Sequence, residues 1–194
     1  MENGLITDVL TSIVPDRLED NVRRATKSIN SLLSRYFVGI SLESLFVATL
    51  NSIGLIFIAK MDPQLAIVVG FASGILNIIP YLGPFIGDLL AVIMALIFHL
   101  NTGMEMPLLI YLLIVLAIFI VTQFIDNYVF QPLIYSNSVK AHPLEIFLII
   151  LIAGQIGGVF GILIAVPFYT VLRVIASEFL SNSKFVQRIT RNIK

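Results

Sequence analysis

Cysteine is absent from this chain of 194 residues, and so is tryptophan. Without thiols there is neither a disulfide framework nor thiolate ligation of a metal, so the compartment must be read from other features. Charge is scarce: Asp, Glu, Lys and Arg together make up 12% of the residues, and the formal net charge is zero. The two histidines, His99 and His142, flank loops and read as boundary residues rather than ligands. No short apolar signal core precedes the first long apolar run, because charges recur from Asp16 to Arg35. No GxSxG elbow, HExxH pair or P-loop occurs, and Asp88 and Asp126 lack the GxGD and YD contexts of intramembrane aspartyl proteases, so no enzyme, metal or cofactor chemistry is expected. Nor is there a basic, aromatic-interleaved surface for nucleic acid.

Apolar sequence fills the space these absences leave. The chain is 58% hydrophobic with a mean hydropathy of +0.98, which predicts an all-α, polytopic integral membrane bundle. Apolar runs cover 36–59, 65–79, 82–100, 107–130 and 144–177, several of them reaching the roughly 20 residues that cross hydrocarbon. Basic residues flank them: Arg17, Arg23, Arg24, Lys27 and Arg35 precede the first run, and Lys184, Arg188, Arg191 and Lys194 follow the last. The positive-inside rule then places both ends on the cytoplasmic side of the membrane.

Residues 1–35 read as a cytoplasmic amphipathic helix, with Leu18, Val22, Ala25, Ile29, Leu32 and Tyr36 at helical spacing; a helix lying among lipid headgroups is the rival reading. Residues 36–180 form the membrane core, and 181–194 a basic cytoplasmic tail. The core divides into 36–106 and 107–180, each a plain span followed by an apolar region that is interrupted. The first interruption is NIIPYLGPFIGD, 77–88, and the second GQIGGVFG, 154–161. Pro63 and Gly74 are as far apart as Pro143 and Gly154, and both prolines open the interrupted region. A plain span plus either a full hairpin or a re-entrant loop crosses an odd number of times, so a second copy is inverted. Paired Gly/Pro-interrupted segments in an inverted repeat point to a transporter's binding site. Charge bias does not choose between hairpins and re-entrant loops. The shortness of 65–79 and 144–153 favours partial penetration of at least the second.

Within the first interruption, Pro80, Gly83, Pro84 and Gly87 cannot all continue a regular helix, and the freed backbone groups need partners or water. A tight turn between two helices at the membrane surface accounts for the same residues. In the second, Gly154, Gly158 and Gly161 admit either a break or close helix packing, and Pro167 is expected to add a kink. Ionisable residues at membrane depth are the other signal. Glu43, Asp88, Asp126, Glu145 and Arg173 qualify, and Asp88 and Asp126 stand out. Thr122 and Asp126, with Gln123 or Asn127, make a polar stripe on a lipid-like span, and Gln131 lies near it.

ILNIIPYLGPFIG, with FIDNYVFQPLIYSNSVKAHPLEIFLIILIAGQIGGVFGILIAVPFYTVLRVI, closely resembles the autoinducer-2 exporter family of permeases, also called the PerM family. The family pattern falls here on Asn77, Pro80, Tyr81, Gly83, Pro84 and Gly87; on Asp126, Asn127 and Pro132; on His142 and Pro143; and on Gly154 or Gly158 through Gly161 to Pro167. The resemblance covers essentially the whole chain. It implies multi-span inner-membrane proteins, homo-oligomeric in some cases, that export the small polar quorum-sensing signal autoinducer-2, with some members assigned sodium/proton antiport. Family members carry further spans before the amphipathic segment, so the resemblance implies the C-terminal part of a longer permease or a truncated member.

The expected function is therefore the core of a secondary transporter, its partners a small polar solute or a monovalent cation or proton, membrane lipid and further copies of the chain. Its two interruptions are expected to meet near the midplane, with Asn77, Asp126, Asn127 and Gln155 on the solute and Asp88 and Asp126 as carriers of a coupling ion. A non-transporting membrane scaffold is the alternative.

Overall fold

Long apolar sequence with helical periodicity leaves the backbone one way to satisfy its own hydrogen bonds in lipid. In the computed structural model, which describes residues 8, 9, 11–79, 82–132 and 143–179, the described residues form helices and connecting turns and no strand. The main helices are α1 Asp16–Phe57, α2 Pro63–Leu76, α3 Leu82–Thr102, α4 Leu108–Ile125 and α5 Pro143–Phe179; a π-helical turn, Asp126–Phe130, continues α4. Four of them, α1, α3, α4 with its π-turn and α5, are long and apolar enough to cross a membrane. The chain is thus an all-α, polytopic membrane protein. At 14 residues α2 is about 21 Å long, short of the ~30 Å hydrocarbon core. Two compact units divide the chain, residues 1–37 with 137–194 and residues 38–136. The helix α1 contributes to both, and its backbone runs unbroken past position 36, so the change from charged lead-in to apolar span alters the helix's surface and not its backbone.

In the unit of residues 38–136, small side chains let helices approach closely. The buried stripe of α3 is Gly83, Gly87, Ala91, Ala95 and His99, one residue every four. That of α2 includes Ala66, Gly70, Ser73 and Gly74. Small residues at this spacing remove the side-chain bulk that would hold two membrane helices apart. Gly74 lies so near α1 that a Cβ there would come within 2.7 Å of the Ala48 Cβ, and Ser44 Oγ donates to the Gly74 carbonyl at 2.6 Å. Larger residues fill the remainder: Leu55, Val69, Tyr111, Val115 and Phe119 are buried in one cluster. His99 is structural, its Nε2 2.7 Å from the Met106 carbonyl oxygen.

Between α2 and α3 the chain turns at Asn77 to Ile79, and Leu82 already begins the next helix. Pro84 falls in the first turn of α3, where a missing N–H leaves no helical bond unmade. The start of α2 is set by Asp62, whose Oδ1 accepts from the backbone N–H groups of Gln64 and Leu65 at 3.0 and 3.2 Å. Pro63 at the first helical position adds a pre-set φ. Replacing Asp62 by alanine is expected to lower stability by about 1 kcal/mol, a fall of about 2–4 °C in Tm, which a thermal melt of the purified protein reads.

In the other unit α5 doubles back on itself. Gly158 holds φ 55° and ψ −140°, inside what is otherwise continuous helix. Residues 143–157 form one arm, about 22 Å long, and residues 159–179 the other, about 31 Å. Tyr169 Oη donates to Glu145 Oε2 at 2.7 Å, although 24 residues separate them and a straight helix would put them about 36 Å apart. Dihedrals stay helical around Pro167, so the interruption falls on glycine and not on the proline. At the far end of the long arm, Asn21 Nδ2 donates to the Glu178 carbonyl at 3.1 Å and Arg24 Nε to the Glu178 carboxylate at 3.0 Å, tying the start of α1 to the end of α5.

Candidate functional site

Three buried stripes in the unit of residues 38–136 turn polar. On α1 the buried set includes Glu43, Asn51 and Ser52; at the end of α2 it includes Ser73 and Asn77; on α4 and its π-turn it ends in Thr122 and Asp126. Asp126 has no exposed surface at all. Gln131 Nε2 donates to its Oδ2 at 3.0 Å. Asn77 and Glu43 reach the same carboxyl, while Oδ1 has no hydrogen bond of ordinary geometry. The sequence alone placed Thr122 and Asp126 on one face, and both are buried.

The π-turn makes the Asp126–Gln131 pair possible. In an α-helix residues five apart point about 140° away from each other, whereas an i→i+5 turn stacks them. The Gln131 backbone N–H bonds to the Asp126 carbonyl, and its side chain closes on the Asp126 carboxylate directly above. The same amide donates to Asn127 Oδ1 at 3.0 Å, and Gln123 Nε2 reaches that oxygen at 3.4 Å. Asn127 itself is exposed, as is Pro132 at the end of this helix.

Beside the cluster is a cleft lined by Asn51, Ser73, Asn77, Asp88, Thr122 and Gln123, with Pro84 and Gly87 contributing backbone and ring surface. Its empty space is about 210 Å³ counting the open mouth, but its enclosed part, about 10 Å³, has room for about one water. Asn51 Nδ2 donates to Ser73 Oγ at 2.9 Å, and Ser73 Oγ donates on to the Gly70 carbonyl at 2.8 Å. Asn51 Oδ1 is buried without a partner.

Of the residues singled out from sequence, Asn77, Pro84, Gly87, Asp88 and Gln123 therefore share one cleft, and Asn77 also touches Asp126. Gly83 packs on the backbone of α2. Gly154, Gln155, Gly158, Gly161 and Pro167 belong to the hairpin of α5, where Gln155 is exposed near its tip. Pro143 opens α5, and Pro80, Tyr81 and His142 lie outside the described residues. Sequence reasoning ranked Glu43 low and passed over Asn51. Yet Glu43 and Asn51 lie about two helical turns apart on one side of α1, with the apolar Val47 midway between them, a pairing that the apolar residues around it obscure.

The family described as AI-2E family transporter matches residues 5–181. The protein named Putative transport protein YueF, from Bacillus subtilis, is 32% identical over 176 residues, which is 91% of this chain and 44% of YueF. Putative transport protein YrrI of the same organism is 31% identical over 114 residues, 59% of this chain and 30% of its own. Putative permease PerM of Escherichia coli is 30% identical over 59 residues, 30% of this chain and 17% of PerM. The chain spans less than half the length of these relatives. No solved structure matches it. With the family pattern running from residue 5 to residue 181, along the whole course of α1 to α5, the chain belongs to the AI-2E transporter family.

Proposed function

We propose that this chain is the core of a secondary permease that carries a small polar solute, such as autoinducer-2, across the bacterial inner membrane, with its two ends on the cytoplasmic side and further copies of the chain as partners. The observation that carries this reading is Asp126, a carboxylate with no exposed surface on a helix otherwise fit for lipid, one oxygen unpartnered and a polar cleft alongside. A buried ionisable group in a membrane helix is expensive to keep and characteristically faces a pathway. A hydroxylated solute supplies the donors that Asn51 Oδ1 and Asp126 Oδ1 lack. With enclosed room for about one water, the cleft must widen for such a solute to pass, as alternating access requires.

The test is uptake and efflux of labelled autoinducer-2 in liposomes holding the chain. Flux above that of protein-free liposomes is expected; silence from protein that is folded and inserted overturns the reading. That silence would select the scaffold alternative, which the close backbone packing of Gly83 and Gly161 also serves.

A further inference from the structure

Four helices of the unit of residues 38–136 change character at one level. Asn51 on α1, Ser73 on α2, Asp88 on α3 and Thr122 on α4 line the cleft. About one turn along each helix stand Leu55, Val69, Ala91 and Phe119, and behind them Ala95 and Val115, all buried in one apolar cluster. Phe119 belongs to both, a wall of the cleft and a member of the cluster. On α4 the cluster ends at Tyr111, eleven residues before Thr122 and so about 16 Å along the helix. Tyr111 has no exposed surface, yet its hydroxyl is buried without a hydrogen-bond partner. A buried tyrosine ordinarily finds a partner for its O–H, and phenylalanine would fill the same space without that cost. The ring lies 5.4 Å from that of His99, whose Nε2 bonds the Met106 carbonyl and so holds the connection from α3 to α4 at this end of the cluster.

We infer that Leu55, Val69, Ala91, Ala95, Val115 and Phe119 are the closed gate on the solute's route, and that Tyr111 is the residue that biases this gate toward opening. The inference rests on the reading of residues 38–136 as part of a permeation core. An apolar constriction bars water and polar solutes without any charge, because a passage lined by hydrocarbon dewets. Widening at this level joins the cleft to the end of the unit where α3 passes to α4, which on the proposed topology faces away from the cytoplasm. The gate is shut toward that side. The orphaned hydroxyl burdens the closed state alone, since it gains partners once the helices part and water enters. A penalty confined to one of two states shifts their equilibrium by its whole amount, so the hydroxyl eases opening. Ordinary helix packing accounts for the aliphatic residues but not for an unpartnered polar atom among them.

The chain has no cysteine, so Ala95→Cys supplies a single thiol inside the gate. Its rate of modification in liposomes, with a charged, water-soluble thiol reagent on both sides, reads opening without requiring transport. Adding Tyr111→Phe is expected to slow that labelling about tenfold; made alone, Tyr111→Phe is expected to raise Tm by about 3 °C and to cut solute flux about tenfold. Val115→Thr keeps the branched shape but lets water wet the gate, and is expected to speed labelling about tenfold and to increase flux. A Tyr111→Phe variant that melts below the parent overturns the inference, because the hydroxyl would then have a partner such as a fixed water. Labelling at one rate in all three backgrounds overturns it too, and if flux persists there the permease reading stands without this gate. Labelling in the expected order, with no flux of labelled autoinducer-2 above protein-free liposomes, supports the gate and overturns autoinducer-2 as the solute that passes it.

Discussion

Alanine at Gly83 is expected to prevent the α2–α3 hairpin from closing, lowering stability by about 3 kcal/mol or more and Tm by about 6–12 °C. An added Cβ would fall on the Leu76 carbonyl oxygen, 2.6 Å from the Leu76 carbonyl carbon and 2.7 Å from the Asn77 Cα. These are backbone atoms at a helix end and cannot rotate away as a side-chain tip can. Gly161→Ala is expected to behave alike, because its Cβ would meet the Ala153 carbonyl group, with the carbon at 2.9 Å. Gly158→Ala has open space around it but must hold φ 55° and ψ −140°, a conformation that glycine takes freely and that costs a residue with a Cβ about 1–3 kcal/mol. Gly157→Ala supplies the control: nothing lies within 4 Å of its Cβ, its backbone is helical, and alanine should add up to about 1 kcal/mol. Thermal unfolding monitored by size exclusion ranks the four variants. Equal behaviour of Gly83→Ala and Gly157→Ala would show that the close approach seen at Leu76 does not limit stability.

That both apolar regions are interrupted was legible in the sequence, because proline and glycine seldom continue a regular helix; that each interruption is a hairpin was not. NIIPYLGPFIGD carries two prolines and two glycines, but the turn occupies only its start, and Gly83, Pro84 and Gly87 are already helical. Their spacing of four, continued by Ala91 and Ala95, is the pattern of a packing stripe, which a reading centred on helix breaking overlooks. In GQIGGVFG any of four glycines could take a positive φ, and which one does depends on where Gly161 can meet the opposite arm. The two hairpins share one proportion, a short arm of about 21–22 Å and a long one of about 31 Å. The π-turn had no signature. Its cost is a weaker backbone ladder, against which stands the Gln131–Asp126 bond it allows, a pairing invisible until Glu43 and Asn77 are known to face the same carboxyl.

Leucine at Asp126 is expected to reduce solute flux about ten- to a hundredfold while the protein still inserts, because it deletes the charge-assisted bond to Gln131, worth about 1.5–3 kcal/mol, and strips the cluster of its carboxylate. Asparagine at the same position keeps the shape and an acceptor for Gln131, so its flux should lie between parent and leucine variant. Gln131→Leu is the harsher change for stability. It leaves a carboxylate with no exposed surface and one oxygen already unpartnered, and loss of one partner from a buried charge costs about 3–5 kcal/mol. Asp126→Leu removes the charge together with its bond and fills the space with hydrocarbon, so in thermal unfolding it should be the milder of the two. The double variant Asp126→Leu, Gln131→Leu should then be more stable than Gln131→Leu alone, a reversal that only a direct coupling between the two side chains produces. Additive losses in that cycle would place the π-turn's purpose elsewhere than in pairing these residues. Flux retained at the parent level in Asp126→Leu would take the carboxylate out of the pathway and leave it a structural group of the α1–α4 interface.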